Sequence, residues 1–276
     1  MKSAAAALCA ALVFAVSTGA FAQHKLEYKP SGATPIHYKA HTVMNTLETV
    51  MGQQATVSGV SDQLVSMTSK MSGENIVYDI TIDSSYAATV MPNGDTTRLT
   101  SSPSVGQTKQ TVMRPDGQEI STTWLDTTFA KTQAGQEKQL GSFFFRLPDK
   151  EVSVGSTWNE VRVDTVERGA GHGEIFVQTD SKYKLVGEEK IDGVPCVKIV
   201  FDGTVSMKGS TAQHGIKFDM NGAGNISGTA FFDYTNGRIF RLKGMSDQKM
   251  TLSSSGEQKM DIPVTQKANY ELFLVR

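Results

Sequence analysis

The sequence predicts an all-β protein: a long antiparallel meander that forms a strongly curved sheet or half-barrel, with little helix. The run Ile76–Asp83 (IVYDITID) alternates its side chains with period two, which is the pattern of a strand with one buried face. Asn-Gly and Asp-Gly pairs suit tight hairpins because both residues tolerate positive φ. Such pairs punctuate the β-rich runs at 93–94, 116–117, 192–193 and 236–237. The best helical candidate is the short stretch Asn45–Val50.

The first 22 residues have the three-part pattern of a cleaved secretory signal. Lys2 gives a positive start, Ala4–Val16 is an uncharged apolar run, and Ala20-Phe21-Ala22 is a cleavage motif before Gln23. The apolar run is shorter than the roughly 20 residues that a membrane-spanning helix needs. We therefore expect a mature chain that begins at Gln23 and is exported to the periplasm or to the extracellular space.

Charge and cysteine content narrow the function classes. The chain has 27 basic and 28 acidic residues, without the basic clusters that bind nucleic acid or anionic membranes. After the signal, no apolar run is long enough to span a membrane.

Cys9 belongs to the signal, so Cys196 has no partner for an internal disulfide. Cys196 lies in the apolar run Val194–Ile199, where we expect a buried, unreactive thiol.

The stretch Ile36–His41 (IHYKAH) raises the question of a metal site. Histidines four positions apart are neighbours on a helix, but apolar Ile36 and Tyr38 alternate here with polar His37 and His41. Along a strand, four residues span roughly 13 Å, whereas zinc ligands lie about 2 Å from the ion. We expect a solvated strand face, with no metal and no cofactor.

Sequence motifs give no support for catalysis. The glycines around His172 precede the strand-like run Ile175–Val177, whereas a phosphate-binding turn opens a helix. Gly224–Gly228 has the wrong spacing for a nucleophile elbow. We expect a protein that is not an enzyme. Hydrolysis by a triad assembled from distant positions is kept as a third reading, after the two non-catalytic functions given at the end of this section.

Apolar side chains supply the candidate ligand site. Three consecutive aromatic residues are Phe143, Phe144 and Phe145. On a strand, their side chains must point to both faces. Either both faces are covered, or one ring lines a ligand mouth or a contact patch. The mature chain also has eleven methionines, whose flexible side chains suit cavities for varied apolar ligands and also fill irregular cores. They are Met44, Met51, Met67, Met71, Met91, Met113, Met207, Met220, Met245, Met250 and Met260.

The chain is expected to have two β halves. Val112–Ile120 and Phe231–Ile239 are similar hairpin-like segments, which suggests that the halves resemble each other. A polar, Gln-rich stretch, Lys131–Gly141, indicates a connector. The halves form either two lobes or one continuous curved sheet. The expected boundaries are 1–22 for the signal, 23–130 for the first half, 131–150 for the connector and 151–276 for the second half.

Two segments carry a resemblance to a known family. Pro148–Trp158 has the pattern Pro-x-Lys-x-Val-x-x-Gly-x-x-Trp, and Tyr183–Ile199 reads as a strand, an Asp-Gly turn and a strand with Cys196. Both resemble an uncharacterised family of secreted bacterial β-rich proteins, which implies no activity. The long meander behind a signal also resembles, at fold level, the half-barrels of periplasmic lipoprotein carriers, which implies no site.

These observations predict a non-catalytic protein that binds an apolar ligand, such as a lipid or an acyl chain, in a concave β face. The candidate ligand-binding residues are Phe143, Phe144 and Phe145. The alternative is a structural or protein-interaction module of the cell envelope. Neither prediction involves nucleic acid or a membrane span.

Overall fold

The structure is a computed structural model that describes residues 23–132, 144–167, 173–213, 216–254 and 260–276. The predicted signal, Phe143, His172 and His214 lie outside these ranges. The strands and the single short helix of the described ranges are β1 (Gly32–Val50), β2 (Gln53–Ser72), β3 (Asn75–Val90), β4 (Thr96–Leu99), β5 (Thr108–Met113), β6 (Glu119–Trp124), α1 (Thr127–Thr132), β7 (Thr157–Glu167), β8 (Glu174–Ile191), β9 (Val194–Gln213), β10 (Ile216–Asp233), β11 (Arg238–Ser254) and β12 (Asp261–Val275).

All strands belong to one antiparallel sheet with the order β6-β5-β3-β2-β1-β12-β11-β10-β9-β8-β7, and β4 pairs with β3. The order follows the chain around the sheet, which confirms the predicted meander. Strand β1 pairs with β12 from His37↔Val275 to Glu48↔Val264. The two ends of the sheet, β6 and β7, are not hydrogen-bonded to each other. The sheet is therefore open between β6 and β7.

Strong curvature brings distant parts of the sheet together around an aromatic core. Tyr78 on β3 and Tyr183 on β8 are far apart in the strand order. Phe144 lies 4.9 Å from Tyr78 between ring centroids, and Phe145 lies 5.5 Å from Tyr183. Both phenylalanines belong to the segment 144–156, which precedes β7. Two neighbouring residues can reach both rings only because the sheet curves around them.

Two extended segments close one end of the sheet, which we call the base. The N-terminal segment 23–31 joins the segment 144–156 through paired backbone hydrogen bonds between His24 and Val152, at 2.8 and 2.9 Å. The Tyr28 backbone N–H donates to the Pro115 carbonyl, which ties the N-terminal segment to the β5–β6 turn. The main hydrophobic core lies at this end and includes Leu26, Val65, Ile80, Met113, Leu147, Leu185, Ile199 and Phe232.

Glycines on the concave face allow aromatic rings to pack flat against neighbouring strands. Gly228 pairs with Phe201 and Gly244 pairs with Tyr270. A Cβ atom added to either glycine would collide with the ring opposite. Each ring therefore occupies the place of the missing side chain, an arrangement that supports strong local curvature.

Several predicted local features are confirmed. Ile76, Tyr78, Ile80 and Ile82 are all buried, as period two predicts. The stretch Ile36–His41 lies in β1, with Tyr38 buried. The turns at 93–94, 116–117, 192–193 and 236–237 each hold a glycine with positive φ.

The short helical candidate Asn45–Val50, for which the sequence did not decide between helix and strand, lies in β1. Thr46 pairs with Val57 of β2 on one side and with Gln266 of β12 on the other. Strand neighbours on both sides outweigh the weak helical preference of six residues. The two predicted halves contribute β1–β6 and β7–β12 to the same sheet, while their proposed domain boundaries stay a prediction.

Candidate ligand-binding cavity

A cavity of about 450 Å³, which we call the central cavity, lies in the concave face beside the aromatic core. Its apolar lining includes Phe144, Phe145, Phe201, Ile226, Leu242 and Leu272. Hydroxyl and amide side chains, including Thr42, Ser61, Gln63 and Gln248, line the rest together with the charged residues Glu160, Arg162 and Glu271. The cavity thus combines an apolar wall with hydrogen-bonding groups.

The charged side chains on the β7 side of the central cavity already have partners. The Tyr183 hydroxyl donates to Glu160 Oε2 at 2.7 Å, and Arg162 Nε donates to Asp164 Oδ2 at 2.7 Å. Burial raises the pKa of Tyr183 well above its ordinary value, and the Glu160 carboxylate adds to the rise. The phenol therefore stays protonated and keeps its role as donor.

The charges on β7 are a feature that sequence reasoning missed. Glu160 and Arg162 line the central cavity, while Val161 and Val163 point outward and are 67% and 62% exposed. This arrangement reverses the usual apolar-inward pattern of a strand. The alternation of charge and valine in the sequence was the available signal, because inward charges are typical of edge strands.

Four methionines extend the concave face away from the base. Met44 shares its side of β1 with the buried Tyr38, and Met207 shares its side of β9 with Phe201, because side chains two apart lie on one face. Cross-strand pairing places Met220 and Met250 on the same face. All four are only partly buried, so methionine lines this face as well as filling the core.

A second cavity of about 270 Å³, the base cavity, is lined by the rings of Tyr28, Tyr38, Tyr78 and Phe144. The Tyr38 hydroxyl donates to the Ile239 carbonyl at 2.8 Å. Burial raises the pKa of Tyr28, Tyr38 and Tyr78 above the ordinary tyrosine value. The phenols stay neutral, and their rings line the base cavity together with aliphatic residues and with the polar side chains of Lys29, Asn236 and Arg238.

A third cavity of about 500 Å³ lies in the gap between β6 and β7. Residues 119–122 of β6 and 159–164 of β7 form its two sides, and Phe144 and Arg146 also line it. Arg146 Nη2 lies 2.9 Å from Asp116 Oδ2. The open edge of the sheet thus leads to the same aromatic residue that lines the other two cavities.

The predicted site residues differ in their placement. Phe144 is partly buried and lines all three cavities, whereas Phe145 is 7% exposed, belongs to the core and lines the central cavity. Phe143 lies outside the described residues. The expectation of a strand is wrong for Phe144 and Phe145, which lie in the irregular segment before β7. Their role in ligand binding stays a prediction.

The thiol and the β1 histidines that the sequence offered as candidate reactive groups lie in unreactive surroundings. Cys196 is fully buried, and burial raises the pKa of its thiol to about 11. His37 and His41 lie beside different carboxylates, those of Asp83 and Asp62. Within the described residues, no group of three His, Cys, Asp or Glu side chains is arranged to hold a metal ion. No helix in the described part of the chain has the length and apolar character needed to cross a membrane.

No protein-family model matches the chain, and no curated protein matches it. Solved structures to which it is similar include OccK5 (OpdH) from Pseudomonas aeruginosa, with a TM-score of 0.31 and 6% identity over 90% of this chain and 100% of that one. A domain assigned as an outer membrane lipoprotein-sorting protein from Vibrio parahaemolyticus has a TM-score of 0.16 and 9% identity over 86% and 85%. A DUF1329 family protein from Desulfovibrio piger has a TM-score of 0.13 and 10% identity over 85% of each chain. At these scores the similarities carry no argument about ligand, partner or location.

Proposed function

We propose that the protein binds an apolar ligand, such as a lipid or an acyl chain, in its concave face, without catalysis. The observation that carries the proposal is the central cavity, with a volume of about 450 Å³ and a wall in which aromatic and aliphatic residues make up half of the lining. Small-molecule sites are typically about 300–1,000 Å³ in volume, mostly apolar, with a few placed polar groups. The central cavity fits this description in size, and its aromatic and aliphatic residues are the part of the wall that an apolar ligand would contact.

The length of the strands supports the proposal. Strand β1 has 19 residues and β9 has 20, whereas globular proteins mostly use strands of about 5–6 residues. The core covers the concave face at the base, but no helix or second sheet among the described residues packs over Met44, Met207, Met220 and Met250. Apolar surface that stays open to water is costly, at roughly 25 cal/mol per Å². A bound apolar ligand would cover it.

The electrostatics of the cavity favour an uncharged ligand body. Glu160 and Arg162 are already engaged with Tyr183 and Asp164. A charge on the ligand would need its own partner, because an unpaired ion in an apolar site is strongly unfavourable. The Ser, Thr and Gln side chains of the wall suit a polar head group through hydrogen bonds.

The proposed location is the periplasm or the extracellular space, and it rests on the predicted signal in residues 1–22. In such a compartment a binding protein shields an apolar molecule from water. The sequence pattern of the signal and the concave cavity are independent observations that agree with this role.

The proposal is tested on purified mature protein with native mass spectrometry for a co-purifying lipid and with titration of a polarity-sensitive apolar dye. Ile226→Lys places a charge in the cavity wall, and Met245→Lys is the matched control, because Met245 is 56% exposed on the convex face of the neighbouring strand. We expect Ile226→Lys to weaken dye binding about tenfold or more, which corresponds to about 1.4 kcal/mol, and Met245→Lys to leave it unchanged. Wild-type protein that binds neither lipid nor dye would refute the proposal.

A structural or protein-interaction module of the cell envelope is the second candidate. Strand β7 pairs only with β8 in the described sheet, and its outer residues Val161 and Val163 are strongly exposed. An unpaired edge with apolar side chains is a template for a partner strand. Cross-linking in the cell envelope should capture a stoichiometric partner, and a Val161→Lys/Val163→Lys variant should lose it. The absence of a stoichiometric partner with wild-type protein would count against this candidate.

A further inference from the structure

We propose that Phe144 sets the length of the apolar chain that the protein accepts, by closing the central cavity toward the base cavity. The inference rests on the proposed function, since it concerns the depth of the same site. Phe144 lines both cavities, and Leu272 lies in the wall between them as well. A chain that enters the central cavity therefore ends against the Phe144 ring.

The position of the ring explains why it closes the passage. Phe144 packs edge-on against Tyr28, at 5.3 Å between centroids, and lies tilted on Tyr78 at 4.9 Å. Tyr28 and Tyr78 line the base cavity. The three rings form one aromatic cluster in the wall of the base cavity. Of the three, Phe144 is the one that also lines the central cavity.

The space beyond Phe144 offers a hydrocarbon chain the three tyrosine rings with Ile36, Met67 and Leu272, although Lys29 and Arg238 also line it. The Tyr28 hydroxyl donates to the Phe145 carbonyl at 3.2 Å, and the Tyr38 hydroxyl donates to the Ile239 carbonyl at 2.8 Å. Both hydroxyls therefore already have partners, and the rings present their carbon surface to the cavity. Removal of the Phe144 ring would add the base cavity, about 270 Å³, to the space open to the ligand.

The backbone beside Phe144 is held by hydrogen bonds in which the Phe144 side chain takes no part. The Phe145 backbone N–H donates to the Tyr28 hydroxyl at 3.2 Å, and the Phe145 carbonyl accepts from the same hydroxyl. Leu147 N–H donates to the Asp116 carbonyl at 2.7 Å. Phe144 also lies outside the strand ladder, so a change of its side chain alters the partition while these anchors stay in place.

The test measures the affinity of the uncharged methyl esters of octanoate, myristate and stearate by displacement of an apolar dye from full-length mature protein. Phe144→Ala should raise the affinity ratio of the stearate ester to the octanoate ester about tenfold or more, and Phe144→Trp should lower it. Phe176→Ala is the matched control, because this phenylalanine is 49% exposed and lies outside the three cavities. Its chain-length profile should equal that of the wild type.

The outcomes separate the two proposals. Unchanged profiles in both Phe144 variants, with dye binding intact, would overturn the role of Phe144 and leave the proposed function standing. Wild-type protein that binds no chain of any length would overturn both. A crystal under xenon pressure gives a readout that needs no fatty acid. Xenon sites that stay separate in Phe144→Ala would contradict the partition, and sites that merge would support it. If Phe144→Ala does not fold, the shift in Phe144→Trp decides the question.

Discussion

The packing of Phe201 over Gly228 predicts a large penalty for one added methyl group. In Gly228→Ala the new Cβ would collide with the Lys243 carbonyl oxygen and with the Phe201 ring. The ring can turn aside, but the carbonyl belongs to the strand ladder. Overpacking costs typically about 1–3 kcal/mol, and a disturbed backbone hydrogen bond adds about 1 kcal/mol. We therefore expect Gly228→Ala to lower the free energy of unfolding by about 2–4 kcal/mol.

Gly187→Ala is the matched control, because a Cβ at Gly187 meets nothing within 4 Å and the residue needs no positive φ. This change should stabilise the protein by roughly 0.5 kcal/mol, since glycine loses more backbone entropy on folding than alanine. Urea denaturation with an unchanged m-value measures both effects. Free energies of unfolding that agree within about 1 kcal/mol for the two variants would refute the packing argument. The displaced Phe201 ring should also weaken dye binding in Gly228→Ala, because Phe201 lines the central cavity.

Three further predictions concern the buried carboxylate, the thiol and the signal. Asp233 is fully buried and accepts hydrogen bonds from the Asn236 backbone N–H and from Arg238 Nε. Asp233→Ala should therefore cost about 2–3 kcal/mol in urea denaturation, because these donors lose their acceptor. Asp247→Ala, at an exposed pair with Lys267, should cost under about 1 kcal/mol, and equal losses would contradict the argument. The Cys196 thiol is buried, with a pKa of about 11. It should therefore resist iodoacetamide in the native protein and react fully in urea. Rapid labelling of the native protein would show that the thiol is accessible. N-terminal sequencing of protein from an exporting host should begin at Gln23, and a retained N-terminus would exclude the predicted cleavage.

Local sequence patterns predicted the strands well where burial has period two. In β3 the alternation from Ile76 to Ile82 matches the buried face. The same period-two rule placed the histidines of β1 on a strand face and not on a helix. In the structure His37 and His41 lie beside different carboxylates. Such patterns succeed because one face of each strand packs on the core at the base.

The parts that sequence could not predict depend on long-range contacts. The core role of Tyr28 follows from a turn at Pro115 and from Phe144, both far away in the chain. Phe144 and Phe145 looked like strand residues, but the curvature of the whole sheet decides where their rings lie. Residues 23–31 do alternate, with Leu26 and Tyr28 buried and Lys25, Glu27 and Lys29 less buried. The partners that hold this segment at the base, Val152 and Pro115, lie far away in the chain, so the alternation alone does not show what covers it.

The pairing of β1 with β12 determines the order in which the sheet can fold. Most neighbouring strands are joined by short turns, so hairpins on either side of this pair can form early. The β1–β12 join instead brings together residues such as His37 and Val275, and the closure of so long a loop is slow because its entropy is lost before the contacts form. Until then the facing sides of β1 and β12 are open sheet edges in the middle of the future sheet. That interval is when the folding chain is most prone to aggregate with its own copies.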